Sequence, residues 1–179
     1  MMMKTAPHLW RIPDSYPESL IGEYVRSGSP DRFLFRQGLR LSEDVGLPVL
    51  RFAAPLKTLL QYACLPNNAM VPLLRNDFGG RLSEIAAADV QLIKTKVQAQ
   101  DADCDDFSIL NVTSKVTAID KEQSAFRFVP GTDQIVAFKR LAYSESCLGT
   151  HMLARDAEYL SHLLVAEELV KVLRAEKVS

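Results

Sequence analysis

Cys147 and His151 come nearest to a nucleophile and base in this sequence, a thiol and an imidazole separated by Leu148-Gly149-Thr150. Such a pair works only if the imidazole holds the sulfur as thiolate. No GxSxG elbow accompanies it, and a lone cysteine in a turn before a strand reads as a small packing residue. Metal chemistry has no better footing, because His8, His151 and His162 are isolated and lack the short spacing that ligand pairs use. Asp101, Asp103, Asp105 and Asp106 surround Cys104 as the densest negative patch. A calcium loop of the EF-hand kind needs a central glycine and a closing glutamate, but Ile109, Leu110 and Val112 stand where its later ligands would be. The patch therefore reads as a solvated loop between strands, suited to face a basic partner and speed encounter. Gly79-Gly80-Arg81 lacks full phosphate-loop spacing and reads as a turn before a helix. The expectation is no catalytic residue, no metal, no cofactor and no enzymatic activity.

The framework for these residues follows from composition and punctuation. With 179 residues, the chain has the length of one domain at roughly 150 residues each. Its 47% apolar content is ordinary globular material. The balance of 21 basic against 22 acidic side chains argues against a general polyanion clamp, so no nucleic-acid partner is expected. Three cysteines without a CxxC pattern argue against a disulfide framework, and the first residues contain no export-type apolar run. These features predict a cytoplasmic protein. The apolar stretch at 52–74 is interrupted by Pro55, Pro66 and Pro72, which excludes a continuous spanning helix, and no membrane association is expected.

Prolines and glycines divide residues 1–70 into short pieces, predicting an irregular N-terminal segment packed on a main domain at 71–179. Within it, 18–26 reads as a short helix opened by Ser15 and Pro17 and closed by Gly28. Arg32-Phe33-Leu34-Phe35-Arg36 alternates like a half-buried strand. Leu82, Ile85 and Ala86 predict a brief helix. From Val90 the apolar period falls to two, predicting strands at 90–98 and 107–112. A hairpin is predicted from 125–129 and 134–143, joined by Pro130-Gly131-Thr132-Asp133. A strand at 151–154 and a helix at 167–177 complete the order, the helix supported by Glu167 four residues before Lys171. The fold class is thus α+β, a single domain with a largely antiparallel sheet and a few peripheral helices.

The block Asp106-Phe107, Leu110-Asn111-Val112, Val116, Ala118-Ile119-Asp120 and Ser124 resembles the central signature of a family of bacterial immunity proteins, the myxobacterial-type immunity domain of polymorphic toxin systems. The segment from Leu164 to Leu173 is similar to that family's closing strand-to-helix element. Ala166 departs from the capping serine common at that helix start. On their own chemistry, Asn111 in an apolar strand requires a hydrogen-bond partner, and Asp120 with Ser124 reads as a turn or cap.

The resemblance implies an immunity protein that binds a cognate toxin or effector stoichiometrically and performs no chemistry. The contact surface expected from the residues is the acidic loop from Asp101 to Asp106, with Trp10, Tyr16 and Tyr24 as exposed aromatic anchors. An adaptor or chaperone that carries an effector without inhibiting it is one alternative, and a small thiol enzyme using Cys147 and His151 is another. Reversing Asp103, Asp105 and Asp106 to lysine is expected to weaken binding to a toxin encoded beside this chain. Unchanged affinity in a direct titration removes the patch from the interface.

Overall fold

At Val90 the apolar spacing shifts to alternation as far as Val97, and side chains that favour a pleated surface return at Phe107–Val112. The computed structural model, which describes residues 5–178, forms a long antiparallel ladder there. Its strands in chain order are β1 (His8–Trp10), β2 (Glu23–Tyr24), β3 (Val49–Arg51), β4 (Cys64–Leu65), β5 (Leu73–Arg75), β6 (Val90–Gln98), β7 (Asp103–Val112), β8 (Lys115–Val116), β9 (Ala125–Phe128), β10 (Ile135–Arg140), β11 (Leu153–Asp156) and β12 (Leu163–Val165). The α-helices are α1 (Leu56–Leu59), α2 (Asn76–Ile85) and α3 (Glu167–Ala175).

Six strands form a central sheet in the order β2-β3-β6-β7-β5-β4, and four form a second sheet in the order β1-β12-β11-β8. β9 and β10 make a separate hairpin, as the turn residues between them predict. Among the described strands only β3 beside β6 and β8 beside β11 pair in parallel. The fold is α+β in a single domain, largely antiparallel, with β4–β5, β6–β7, β9–β10 and β11–β12 each pairing consecutive strands through a short connection. Residues before 71 supply β1 to the second sheet and β2, β3 and β4 to the central one. Among the described residues, no helix is long and apolar enough to cross a membrane.

β7 is buried on both faces, which explains why Phe107–Val112 reads as a nearly continuous apolar run. Phe107 and Ile109 join Leu50, Phe52 and Val97 in one cluster. Leu110 and Val112 join Phe78, Leu82, Leu153, Leu163 and Leu169 in another. Each such side chain contributes roughly 1.5–3 kcal/mol on leaving water, before conformational entropy is subtracted. α3 buries Leu169, Val170 and Leu173 on this second face. Glu167 and Glu168 in its first turn and Arg174 in its last complement the helix dipole, while Ala166 at its start supplies no side-chain cap.

Several local expectations are overturned where pairing or burial outweighs local preference. The helix expected at 18–26 is a 3₁₀ turn at Glu18–Leu20 followed by β2, because Glu23 and Tyr24 pair with Arg51 and Leu50. The strand expected at 32–36 is a 3₁₀ turn, Arg32–Arg36, capped by Asp31, whose side chain accepts from the Phe33 amide. It buries Phe35 and leaves Phe33 exposed. Gly79 and Gly80 lie within α2 rather than before it, and Gly79 lets the helix approach Leu92 of β6. The strand expected at 151–154 begins two residues later, at Leu153.

Gly22 ties β2 to the loop after β4, its amide donating to Pro66 and its carbonyl accepting from Asn68. A Cβ there would lie 2.6 Å from Cζ of the buried Phe52 ring. Gly22→Ala is expected to lower stability by roughly 1–3 kcal/mol through overpacking, read as a reduced urea midpoint at unchanged slope.

Candidate functional site

The residues that carry the family resemblance serve the scaffold. The Asn111 amide donates to the Leu39 carbonyl at 2.9 Å and to Gln91 Oε1 at 3.0 Å. Gln91 in turn brackets Leu41, accepting from its amide and donating to its carbonyl. Two side chains on adjacent strands thus fasten the 39–41 segment across the β6–β7 ladder. Asp120 accepts from the amides of Glu122 and Gln123. Ser124 exchanges hydrogen bonds with Ala142. Both act as the turn and cap that their chemistry predicts.

Of the acidic patch only Asp101 lies in the connecting turn; Asp103, Asp105 and Asp106 lie on β7. β7 already begins at Asp103, because β6 and β7 pair to their ends and the Ala99 amide closes the turn on Ala102. Two of its charges are engaged within the chain: Asp101 caps α1 by accepting from the Leu56 amide at 2.8 Å, and Asp103 pairs with Lys96 at 2.9 Å. Asp105 and Asp106 remain exposed beside a register shift. Tyr24 is not a surface anchor. It is 4% exposed, its hydroxyl donates to the Pro30 carbonyl, and burial pushes it up to about 12. Trp10 and Tyr16 are half-buried.

His151 does not activate Cys147. Its Nδ1 bonds to the buried Asp89 carboxylate at 2.6 Å, and Asp89 also accepts from Ser114 and from the amides of Met152 and Leu153. Burial opposes the charge on Asp89, but these donors together hold its carboxyl below the usual range. The result is a stitch between the start of β6 and the start of β11. Burial raises the Cys147 thiol, so the thiolate that nucleophilic chemistry needs is disfavoured. Among the described residues, no group of three or more His, Cys, Asp or Glu side chains is placed to hold a metal ion.

A deep concavity lies elsewhere, where edge strands of the two sheets face one another. β1 is the outer strand of the second sheet and β4 that of the central one, and Trp10, Cys64 and Leu65 from them line a cleft of about 770 Å³. This volume falls within the range of roughly 300–1,000 Å³ of ordinary binding sites. Its walls carry the rings of Tyr16, Tyr62, Tyr159 and His162, and Arg36 and Ser161 supply polar groups. The His162 ring lies 4.5 Å from that of Tyr159, its Nδ1 bonds to the Tyr143 hydroxyl, and burial lowers its pKa. Cys64 is pushed up to about 12 by burial and is a packing thiol.

At the rim, Ile12 and Met70 are 39% and 56% exposed. Met70 has a φ of 58°, left-handed backbone that costs a non-glycine residue about 1–2 kcal/mol. Asn67 holds it there, because its side chain accepts from the Ala69 amide and donates to the Val71 carbonyl at 2.6 Å.

Of the anchors expected from sequence, the structure gathers Trp10 and Tyr16 at this cleft and does not bring the acidic strand end among its lining residues. Arg36 and Asp89 had no local signature, since Ser161 lies 125 residues from Arg36 and His151 lies 62 from Asp89. No protein-family model matches the chain, and no curated protein matches it significantly.

Because the folded carboxyl of Asp89 is depressed, its contribution to stability is complete above the unfolded value near 4 and is lost as pH falls through the folded one. Asp89→Asn is therefore expected to destabilise the protein at pH 7. The gap to wild type should narrow on acidification below about pH 4, as followed by urea unfolding across pH. A gap independent of pH contradicts this role.

Proposed function

We propose that this chain is a bacterial immunity protein that neutralises a cognate toxin or effector by stoichiometric binding. The observation that carries the reading is the composition and shape of the cleft. Large rings, an arginine and outward-facing Ile12 and Met70 are the side chains that dominate binding energy at protein interfaces, and here they converge in one concave surface. The resemblance of the 106–124 block to immunity proteins supports the reading and supplies the kind of partner. The raised Cys147 thiol and the commitment of His151 to Asp89 speak against the thiol-enzyme alternative.

In this reading the protein acts as a rigid plug. Its anchors sit on β1, on β4 and on loops tied down by buried side chains, so little ordering entropy opposes binding. Inhibition then needs only that the bound face cover the toxin's working surface.

Expression of the toxin encoded beside this chain should arrest growth, and co-expression should restore it with recovery of a one-to-one complex. An adaptor would give the complex without the rescue. Met70→Asp places a charge at the apolar rim and is expected to weaken the complex by about tenfold or more, measured by titration calorimetry. Full affinity in that variant removes the cleft rim from the interface.

A further inference from the structure

Arg36 and Arg155 pin the same two chain segments together from adjacent positions. Arg155 donates to the Phe35 carbonyl at 2.9 Å and to the Leu160 carbonyl at 2.7 Å. Arg36, the next residue after Phe35, donates to Ser161 Oγ, the next residue after Leu160, at 2.6 Å. Arg155 is wholly buried, and its Nε has no hydrogen-bond partner among the described residues. Neither arginine takes part in any of the described ion pairs. Asp156 is adjacent, but it is occupied by the amides of Ala118, Glu158 and Tyr159. Burial pulls Arg155 down to about 10 and also lowers Arg36, and each is further opposed by a neighbouring guanidinium, Arg36 acting on Arg155 and Arg32 on Arg36.

A buried cation without an acid is costly, since carbonyl dipoles only partly replace water. A carboxylate beside Arg36 would offset both charges in a site of low dielectric, where a charge-assisted pair is strong. Arg36 lines the cleft; Arg155 stands behind it. Arg11 and Lys177 also line the cleft, and its one acidic lining residue, Glu176, is paired with Arg81. The cleft therefore presents positive charge among aromatic rings, bordered by β1, whose outer side no described strand covers, and by β4, whose continuation at Asn67 is bridged to Gly22. An open strand edge such as β1 suits an extended peptide.

We infer that the cleft receives an extended acidic segment of the partner protein, with its carboxylate on Arg36 and its apolar neighbours against Trp10, Tyr62 and Tyr159. The inference rests on the neutralisation reading for the identity of the partner, but not for the chemistry of the site.

Trp10 is the sole tryptophan of the chain, so its indole signal reports occupancy directly. The probes are 3-phenylpropionate and its neutral counterpart 3-phenylpropionamide, titrated into the full chain. The carboxylate should shift the Trp10 indole NMR resonance with an affinity about tenfold or more above that of the amide. Arg36→Gln should bring the two within about twofold. Equal affinities in wild type, or a preference that survives Arg36→Gln, overturns the inference. Should that variant fail to fold, salt decides: raising it from about 0.05 to about 0.5 M should weaken the carboxylate and spare the amide, and equal sensitivity overturns the site. The toxin domain should then displace 3-phenylpropionate from the cleft. Simultaneous binding overturns the peptide occupant in favour of a free carboxylate ligand. Absence of any complex with the toxin, beside an intact carboxylate preference, removes the neutralisation reading and the occupant together while the anion chemistry of the cleft stands.

Discussion

The β6–β7 ladder carries apolar side chains on both faces, and the two larger core clusters are built against it. One face receives the N-terminal segment through Leu50, Phe52 and Phe35. The other receives α2, α3 and the second sheet through Phe78, Leu169 and Leu163. A ladder of this kind must be satisfied in its backbone hydrogen bonds on both sides, which is why β3 and β5 flank it and why short strands from distant parts of the chain are drawn into one sheet.

Buried polar groups then fix how the layers sit. Asn111 with Gln91 locks the 39–41 segment, Asp89 ties β6 to β11, and Arg155 ties the 32–36 turn to the loop before β12. Each of these would be expensive if unpaired, so each admits one arrangement of its neighbours. Apolar packing alone tolerates small slides between layers. Hydrogen bonds to specific carbonyls and amides do not.

The cleft is a product of that locking. It forms where the β1 edge of one sheet approaches the β4 edge of the other, and the Arg36–Ser161 bond draws the 32–36 turn to its wall. Because its rings sit on tied elements, the surface is organised before any partner arrives. The exposed acids Asp105 and Asp106 are a separate feature, at the start of β7, and carry charge suited to steering.

Period and punctuation in the sequence determined the strands at 90–98 and 107–112, the hairpin around Pro130-Gly131 and the helix after Ala166, because those elements answer to neighbours in the chain, whereas the start of β7 at Asp103 is set by its pairing with Gln98. The structural roles of Asn111, Asp120 and Ser124 were legible for the same reason: a polar residue in an apolar strand, or an acid at a strand end, has few places to go. The 18–26 and 32–36 segments were misread, since pairing with β3 and burial of Phe35 overrode their local pattern. Tyr24 was misread as exposed because nothing in its flanks records the Leu50 opposite it. The cleft was decided by tertiary structure alone. Its arginine, rings and strained methionine come from five separate stretches of chain, and only the meeting of two sheet edges brings them within reach of one another.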